Sequence, residues 1–509
     1  MVMSGFLREE DLCSTLKREI VPLIRQEDFE DMYKEGGRPP LSPKVLLMVT
    51  VFQFLEGLSD RAAAFSLRYR IDWKIALGLE LEDGGVHHSS LSRFRDRLLE
   101  HDKASYALDM ILDHLVQIKL VKKNGKQRID STHVIAKVRE LSRLELLQET
   151  LRLFCEDALS YRPECSSIVS DALNRYQDQK SVYQMTDETK ASRIREAGLA
   201  MCALIEWVDG SKSLEDLRAK TSFETLKKVF QQNFTETPDG DYPELIKIAT
   251  GKDHICSPHE VDARYGNKGK KGWIGFKAQI AETVPEKSDD DRIIPNFITY
   301  AEINDATDHD GNSILDYVNT QQVNGIEPSK VYADTHYNTE ANIKDLSLMG
   351  IDLRGPVVPM PEQDRTKEEN IGFEVDLEHQ SVTCSEGKTS IRFAPRAQNK
   401  ISATFSQKDC RPCKDAGRCK PAPRGKNILI KLESPILSGR RIEMQTDAFK
   451  REMHQRNGIE GTLSGLVRGQ QLRNCRYRGK KKARLATKFA AASANIKRLH
   501  RFYEILRAA

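Results

Sequence analysis

One short β-branched run, Arg128-Ile-Asp-Ser-Thr-His-Val-Ile-Ala136, stands alone between two long helical stretches. Asn124-Gly125 marks a turn ahead of it, and its length and composition predict a strand. The next strand signal comes only at Trp273 to Glu282, where Ile274, Phe276, Ala278 and Ile280 alternate with more polar neighbours. An isolated strand is not stable in water, so the first one must find its partners far along the chain. What lies between them is then an insertion. From about Val138 to Phe234 that insertion reads as helical, with Leu144, Leu147, Leu151 and Phe154 three and four residues apart.

Further strands are predicted at Ile293 to Ile303, at Lys330 to Asp334 and at Ile351 to Pro359, with helices over Asp308 to Val323 and Thr339 to Leu348. The order β, helical insert, β, β, α, β, α, β defines an α/β chain with a mixed sheet flanked by helices. Residues 1–121 form an N-terminal all-helical domain in this reading, in which Ser42 and Pro43 suit an N-cap and first helical position. The helix from His88 to Glu100 carries a basic face. Such a bundle either lies on DNA as a helix-turn-helix or serves as a helical dimerisation domain. The first core strand falls in 122–138, the helical insertion in 139–255, the catalytic core in 256–359, and a polar, irregular, Cys-bearing insertion in 360–440. Residues 441–509 supply the closing helices. In the last of these Leu485, Phe489, Ala492, Ile496, Leu499, Tyr503 and Leu506 make a core-facing seam.

The net charge of +4 conceals an asymmetry. From Thr446 to Ala509 there are 16 Lys and Arg against four acids (Asp447, Glu452, Glu460, Glu504), while the rest of the chain is net acidic. A basic end on an acidic body fits a polyanionic partner, most simply nucleic acid; the bland alternative is a solvated helix face. No apolar run approaches the roughly 18 residues of a membrane span. Acids occupy the N-terminal stretch where a signal peptide has its apolar core. A cytoplasmic protein with no membrane partner is expected, and ten cysteines in 509 residues suit reduced thiols.

Within this basic end lies one acid in a helical setting, Glu460, in Arg456-Asn-Gly-Ile-Glu-Gly-Thr-Leu-Ser. Carboxylates are poor company for phosphates unless a cation lies between them. Asp130 in the first strand and Asp334 at the end of a later one would complete a set of three. Hard cations such as Mg²⁺ take oxygen ligands and keep several waters, and a pair about 3.5–4 Å apart can serve both the attacking and the leaving oxygen of a phosphodiester.

These residues and their surroundings resemble a known family. Gln127 to Val134, Asp262-Ala-Arg-Tyr with Trp273-Ile-Gly-Phe-Lys277, Val331 to Tyr337, and the block Ile459-Glu-Gly-Thr-Leu-Ser with Leu472-Arg-Asn-Cys-Arg-Tyr-Arg-Gly-Lys-Lys-Lys482 are similar to bacterial insertion-sequence transposases of the DDE class. Met453 stands where many relatives carry Tyr, three residues before Arg456. The resemblance implies a ribonuclease-H-like core in which Asp130, Asp334 and Glu460 hold two Mg²⁺ or Mn²⁺ ions. It implies a DNA strand cleavage and strand-transfer enzyme: cleavage at element ends frees a 3′-OH, which then attacks target DNA by transesterification. The alternative is a catalytically silent, transposase-derived DNA-binding or regulatory protein. Arg456 would neutralise the scissile phosphate, steady Glu460, or form an ordinary i,i+4 ion pair with it. Arg473, Arg476, Arg478, Lys480, Lys481 and Lys482 would hold the backbone of double-stranded DNA, both terminal inverted repeats and target. Paired element ends imply a homodimer on DNA, in the nucleoid of a bacterial cytoplasm. His133 is expected to be a strand residue near the site rather than a ligand.

Cys384, Cys410, Cys413 and Cys419 form a C-x25-C-x2-C-x5-C pattern in a segment short of apolar residues. They could make a structural Zn²⁺ site, or be independent thiols.

Overall fold

The computed structural model describes residues 6–33, 41–163, 169–170, 172–173, 185–235, 244–245, 252–269, 271–287, 291–358, 372–396, 400–419, 421–431 and 434–508. They divide into two compact units, residues 1–327 with 459–509, and residues 328–458.

In the first unit the lone strand finds its distant partner. β1 (Lys126–Ile135) runs antiparallel to the long β3 (Lys271–Thr283), in register from Gln127 opposite Thr283 to Ile135 opposite Gly275. β3 also pairs antiparallel with β2 (Arg264–Lys268) and β4 (Ile298–Asp305). The run predicted as one strand from Ile293 to Ile303 is split at Pro295, which cannot donate to a ladder: Ile293–Ile294 pairs with Glu286–Lys287, and β4 begins at Ile298. At Gly275 the two backbones nearly touch. A Cβ there would sit 2.0 Å from the Val134 carbonyl oxygen, so only glycine fits.

Helices cover this sheet. α1 (Pro43–Glu56) is apolar nearly all round and correspondingly buried; Ser42 precedes it, Pro43 opens it and Gly57 ends it in the left-handed region. α2 (Asp60–Tyr69), α3 (Ile71–Leu77), α4 (His88–Glu100) and α5 (Tyr106–Gln117) follow. The last helix of the chain is the closing one, Lys480–Ala508. Its predicted seam is real: Leu485, Phe489, Ala492, Ile496 and Leu499 are buried in one core with Phe52, Phe54, Leu91 and Leu112 of the N-terminal helices and Phe276, Ala278 and Ile280 of β3. Phe54 and Phe489 stack with ring centroids 5.5 Å apart.

The helical insertion is α6 (Arg143–Tyr161), α7 (Asp187–Gly210) and α8 (Thr221–Asn233). It keeps its own core of Leu147, Leu151, Phe154, Met201, Leu226 and Val229. Ser142 and Glu145 cap α6 reciprocally, the Ser hydroxyl accepting from the Glu145 N–H and the Glu carboxylate from the Ser142 N–H. Among the described residues no helix is long and apolar enough to cross a membrane.

After α9 (Ile314–Val323) of the first unit come β5 (Lys330–Tyr332) and β6 (Asp352–Arg354) of the second unit, paired in parallel, with α10 (Glu340–Leu348) between them. A short connection of this kind, strand to helix to parallel strand, is a βαβ unit. The architecture is therefore mixed α/β. The segment expected to be irregular is not. β7 (Glu374–Asp376) and β8 (Ser381–Thr383) form a hairpin, and β9 (Arg392–Arg396), β10 (Lys400–Thr404) and β11 (Asn427–Lys431) an antiparallel sheet. Its strands are five residues or fewer and its burial falls on alternate positions such as Ile401 and Ala403. In so polar a stretch that alternation is easily overlooked. Residues 359–371 of this insertion, and Cys165, lie outside the described residues. α11 (Pro435–Glu443) and the first half of α12 (Asp447–Gly469) complete the unit; the second half of α12 belongs to the first unit, and the closing helix is α13.

Candidate active site and nucleic-acid interface

Alternate residues of a strand share a face, so Arg128, Asp130, Thr132 and Val134 point one way from β1 and Gln127, Ile129, Ser131 and His133 the other. Asp130 lies opposite Ile280 of β3, half-buried, and one of its carboxylate oxygens accepts the Ser131 N–H at 2.7 Å. Two residues back, Arg128 lies opposite Glu282, which is fully buried. Glu282 Oε1 accepts from Arg128 Nε and Nη2, each at 2.7 Å. Its Oε2 accepts from the Thr462 hydroxyl at 2.5 Å, from Asn296 Nδ2 at 2.5 Å and from Arg498 Nη1 at 3.0 Å. Arg498 Nη2 also donates to Thr462 Oγ1. Burial alone would depress the Arg498 guanidinium; the facing Glu282 carboxylate opposes this.

This network ties four elements of the first unit together: β1, β3, α12 and α13. Thr462 is on α12 just beyond Glu460, so the strand of Asp130 and the turn that carries Glu460 are pinned through one buried carboxylate. Ile459, Thr462 and Leu466 are the buried side of that turn, and Glu460 is exposed. A Cβ added at Gly461 would meet nothing, so this glycine is not there for close packing within the chain. None of Arg128, Glu282, Thr462 or Arg498 was singled out by sequence as part of the site. One signal was present: the core-facing alternation Phe276, Ala278, Ile280 runs on to position 282, and an acid on a core face needs a partner.

Asp334 belongs to the second unit. It lies two residues past β5, half-buried, where its Oδ1 accepts the His336 N–H at 2.8 Å in an Asx-type turn. Asn338 Nδ2 braces the same turn by donating to the carbonyl of Asp334 at 2.7 Å and of Ala333 at 3.2 Å. Among the described residues no three His, Cys, Asp or Glu side chains stand ready as a metal-holding group. His133, on the other face of β1 from Asp130, packs against Trp273 with centroids 5.0 Å apart. Burial, reinforced by Arg473 and Lys268, pushes its imidazole down to about 4, so it stays neutral at ordinary pH.

Within the second unit, Glu452 anchors the first half of α12. It accepts from Lys330 Nζ at 2.7 Å, from the Tyr332 hydroxyl at 3.2 Å and from Arg354 Nη2 at 2.9 Å. Burial works to raise the Glu452 carboxyl, but the hydrogen bonds and charges of Lys330 and Arg354 outweigh it and hold it at about 2, below its ordinary 4.5. A carboxyl depressed by folding stabilises the fold above its unfolded value, and that stabilisation is lost as pH falls through the folded one. Thermal unfolding of the wild type followed from pH 5 down to pH 2 is therefore expected to show a loss that Glu452→Gln lacks. Parallel pH profiles for the two proteins would remove this assignment.

The basic block is largely built into the first unit. Ile135 N–H donates to Arg473 O at 2.7 Å and Cys475 N–H to Ile135 O at 2.9 Å, so residues 473–475 prolong the ladder at the end of β1. Arg473 Nη1 donates to His133 O at 3.2 Å. Arg476 Nη1 donates to Leu58 O at 2.9 Å, its guanidinium 4.8 Å from the centre of the Phe54 ring. Lys480 pairs with Asp305 at 2.7 Å and Lys482 with Asp96 at 2.8 Å, while Arg484 pairs with Glu302. Arg478 and Lys481 make no ion pair among the described residues. Arg456 is half-buried, one helical turn before Glu460.

Residues 3–97 match the family model of a transposase domain (DUF772), and residues 383–500 match that of a transposase DDE domain. The second span includes Glu460, the basic block and all four clustered cysteines, and excludes Asp130 and Asp334. Two transposase models, one towards each end of the chain, support an insertion-sequence transposase of the DDE class. No curated protein matches it. Among solved structures, one described as a piggyBac transposase synaptic complex with hairpin DNA aligns over 99% of this chain and 77% of that one, at 10% identity and a TM-score of 0.27.

Proposed function

We propose that the chain is an active, metal-dependent enzyme that cleaves DNA at element ends and joins the resulting 3′-OH to target DNA. Asp130, Asp334 and Glu460 are its ion-holding carboxylates, in a core of the ribonuclease-H-like kind. The observation that carries this reading is the buried Arg128–Glu282–Thr462–Arg498 network. A protein that merely bound DNA would have no need to fix the strand of one of these acids against the helix of another.

The donor set fits Mg²⁺ or Mn²⁺: it offers oxygen alone, on groups that are half-buried or exposed and so leave room for retained waters. Two bound divalent ions would supply Lewis-acid stabilisation of the attacking and leaving oxygens. The protein's own groups position and neutralise. Arg456 is placed along α12 either to meet a phosphate or to steady Glu460. Arg478 and Lys481 are available to the DNA backbone. Lys480 and Lys482 can join them, because exposed ion pairs such as theirs are worth only about 0–1 kcal/mol and are readily exchanged. Arg473 and Arg476 build the platform that presents these cations. Binding by such contacts weakens steeply with salt. A dimer on paired element ends, with double-stranded repeat and target DNA as partners in a bacterial cytoplasm, belongs to the same reading.

The test is incubation with Mg²⁺ or Mn²⁺ and DNA carrying the element's own terminal repeats, beside Asp334→Ala. Nicking at the repeat ends and joined product, both lost in the variant, are expected. Repeat-specific binding with no cleavage in either metal would replace this reading by the silent DNA-binding one. Cleavage without joined product would make the protein a nuclease.

A further inference from the structure

Residues 372–431 of the second unit have very little core. Val382, Ala403, Phe405 and Ile428 are its buried apolar cluster, with Phe373, Val375, Phe393 and Ile430 only partly covered. Two small antiparallel sheets of short strands cannot be held by so few side chains, and segments of this size commonly depend on a metal or disulfides. Packed against that same small core are Cys384 and Cys410.

Four cysteines from three separate stretches of backbone line one cavity of about 40 Å³: Cys384, Cys410, Cys413 and Cys419. Cys384 sits in the turn that follows β8, where Gly387 N–H donates to Cys384 O at 2.8 Å and Cys384 N–H to Lys388 O at 2.9 Å. Gly387 takes φ +71° in that turn, which glycine adopts without steric cost. Cys410 ends the helical turn Gln407–Cys410, capped by Ser406, and Cys413 follows it. Cys419 ends a second turn, Ala416–Cys419, its N–H donating to Asp415 O at 2.8 Å. All four are free thiols. Cys13, Cys155, Cys202, Cys256 and Cys475 line no part of this cavity.

We propose that Cys384, Cys410, Cys413 and Cys419 bind one structural Zn²⁺ in a closed tetrahedral site. Four protein sulfurs leave no open coordination position, which separates a structural zinc from a catalytic one. Zinc, unlike an iron–sulfur cluster, needs no redox partner. Among the described residues no three His, Cys, Asp or Glu side chains stand ready around an ion, so binding would have to draw the four thiols of this cavity together. Zinc binding has to release thiol protons, so affinity should fall as pH falls. The ion would close the hairpin end onto the turns that follow β10, and so replace the missing core.

The test uses the full chain purified without chelator. Elemental analysis is expected to find about one zinc per chain, as a tetrahedral four-ligand site requires. The same content is expected in Cys202→Ser, and none in Cys410→Ser/Cys413→Ser. Cobalt exchanged into the wild type should give the thiolate-to-metal absorption of a tetrahedral site, and chelation should open 372–431 to limited proteolysis. If the double variant is insoluble, the wild-type metal content and cobalt spectrum decide alone. Iron in place of zinc, a disulfide among the four by mass mapping, or a metal-free chain whose proteolysis ignores chelator would overturn the proposal. None of these measurements involves DNA, so its outcome is independent of the cleavage assay.

Discussion

Glu282→Ala is expected to lower the stability of the first unit by about 3–5 kcal/mol, the range for removing one partner of a buried ion pair. The loss is not simply that of the hydrogen bonds. Arg128, buried, and Arg498, partly buried, face the fully buried Glu282 carboxylate, and the substitution leaves both guanidinium groups there without it. Thr462 and Asn296 lose their acceptor as well. Glu282→Gln should fall between wild type and Ala, because the amide keeps one acceptor oxygen but places donors against donors. Urea unfolding of the three proteins reads the order directly. The destabilisation should change little between low and high salt, since buried pairs are poorly screened. A loss below about 1 kcal/mol for Glu282→Ala would mean that the network behaves as a surface pair. Faster hydrogen exchange at the β1 amides, from Arg128 to Ile135, would locate the damage beside Asp130.

The elements were legible where local pattern decides them. The α13 seam, the first proline of α1, the alternation in β3 and the isolation of β1 could all be read from local sequence, and the structure has each of them; Ser42 stands at the N-cap of α1 but its side chain makes no capping bond. The small sheets around the cysteines were not, because strands of three to five residues carry too few alternations to stand out from polar surroundings.

Pairings were illegible for a different reason. Arg128 and Glu282 are 154 residues apart in sequence, and Thr462 is 180 from Glu282. No local periodicity encodes such partners; they follow from how strands and helices stack. The basic block shows the same limit from the other side. Its composition marks the block as basic, but composition cannot distinguish Lys481, which makes no ion pair among the described residues, from Arg476, which holds the Leu58 carbonyl against Phe54. Two residues of equal charge a few positions apart thus differ in whether the fold already uses their charge.

Glu460→Gln should separate chemistry from folding. Glu460 is exposed on α12, where surface pairs are worth little, and Glu and Gln have nearly equal helix propensity, so the melting temperature should shift only slightly. Cleavage at repeat ends is expected to drop on the order of a thousandfold, the upper scale for removing one group that stabilises a transition state. Binding to repeat DNA without metal should be retained or slightly strengthened, since one negative charge is gone from beside the phosphates. Thr462→Val, two residues on, should do the reverse. It removes the hydroxyl donor to Glu282 and the acceptor for Arg498, costing about 1–3 kcal/mol of stability. Its cleavage should recover as the temperature is lowered and the fold tightens, whereas the Gln variant should stay inactive at every temperature. Were Glu460→Gln to cleave within about tenfold of the wild type, the third carboxylate would have to be sought elsewhere on α12. Glu452 could not replace it, because Lys330, Tyr332 and Arg354 already occupy its oxygens.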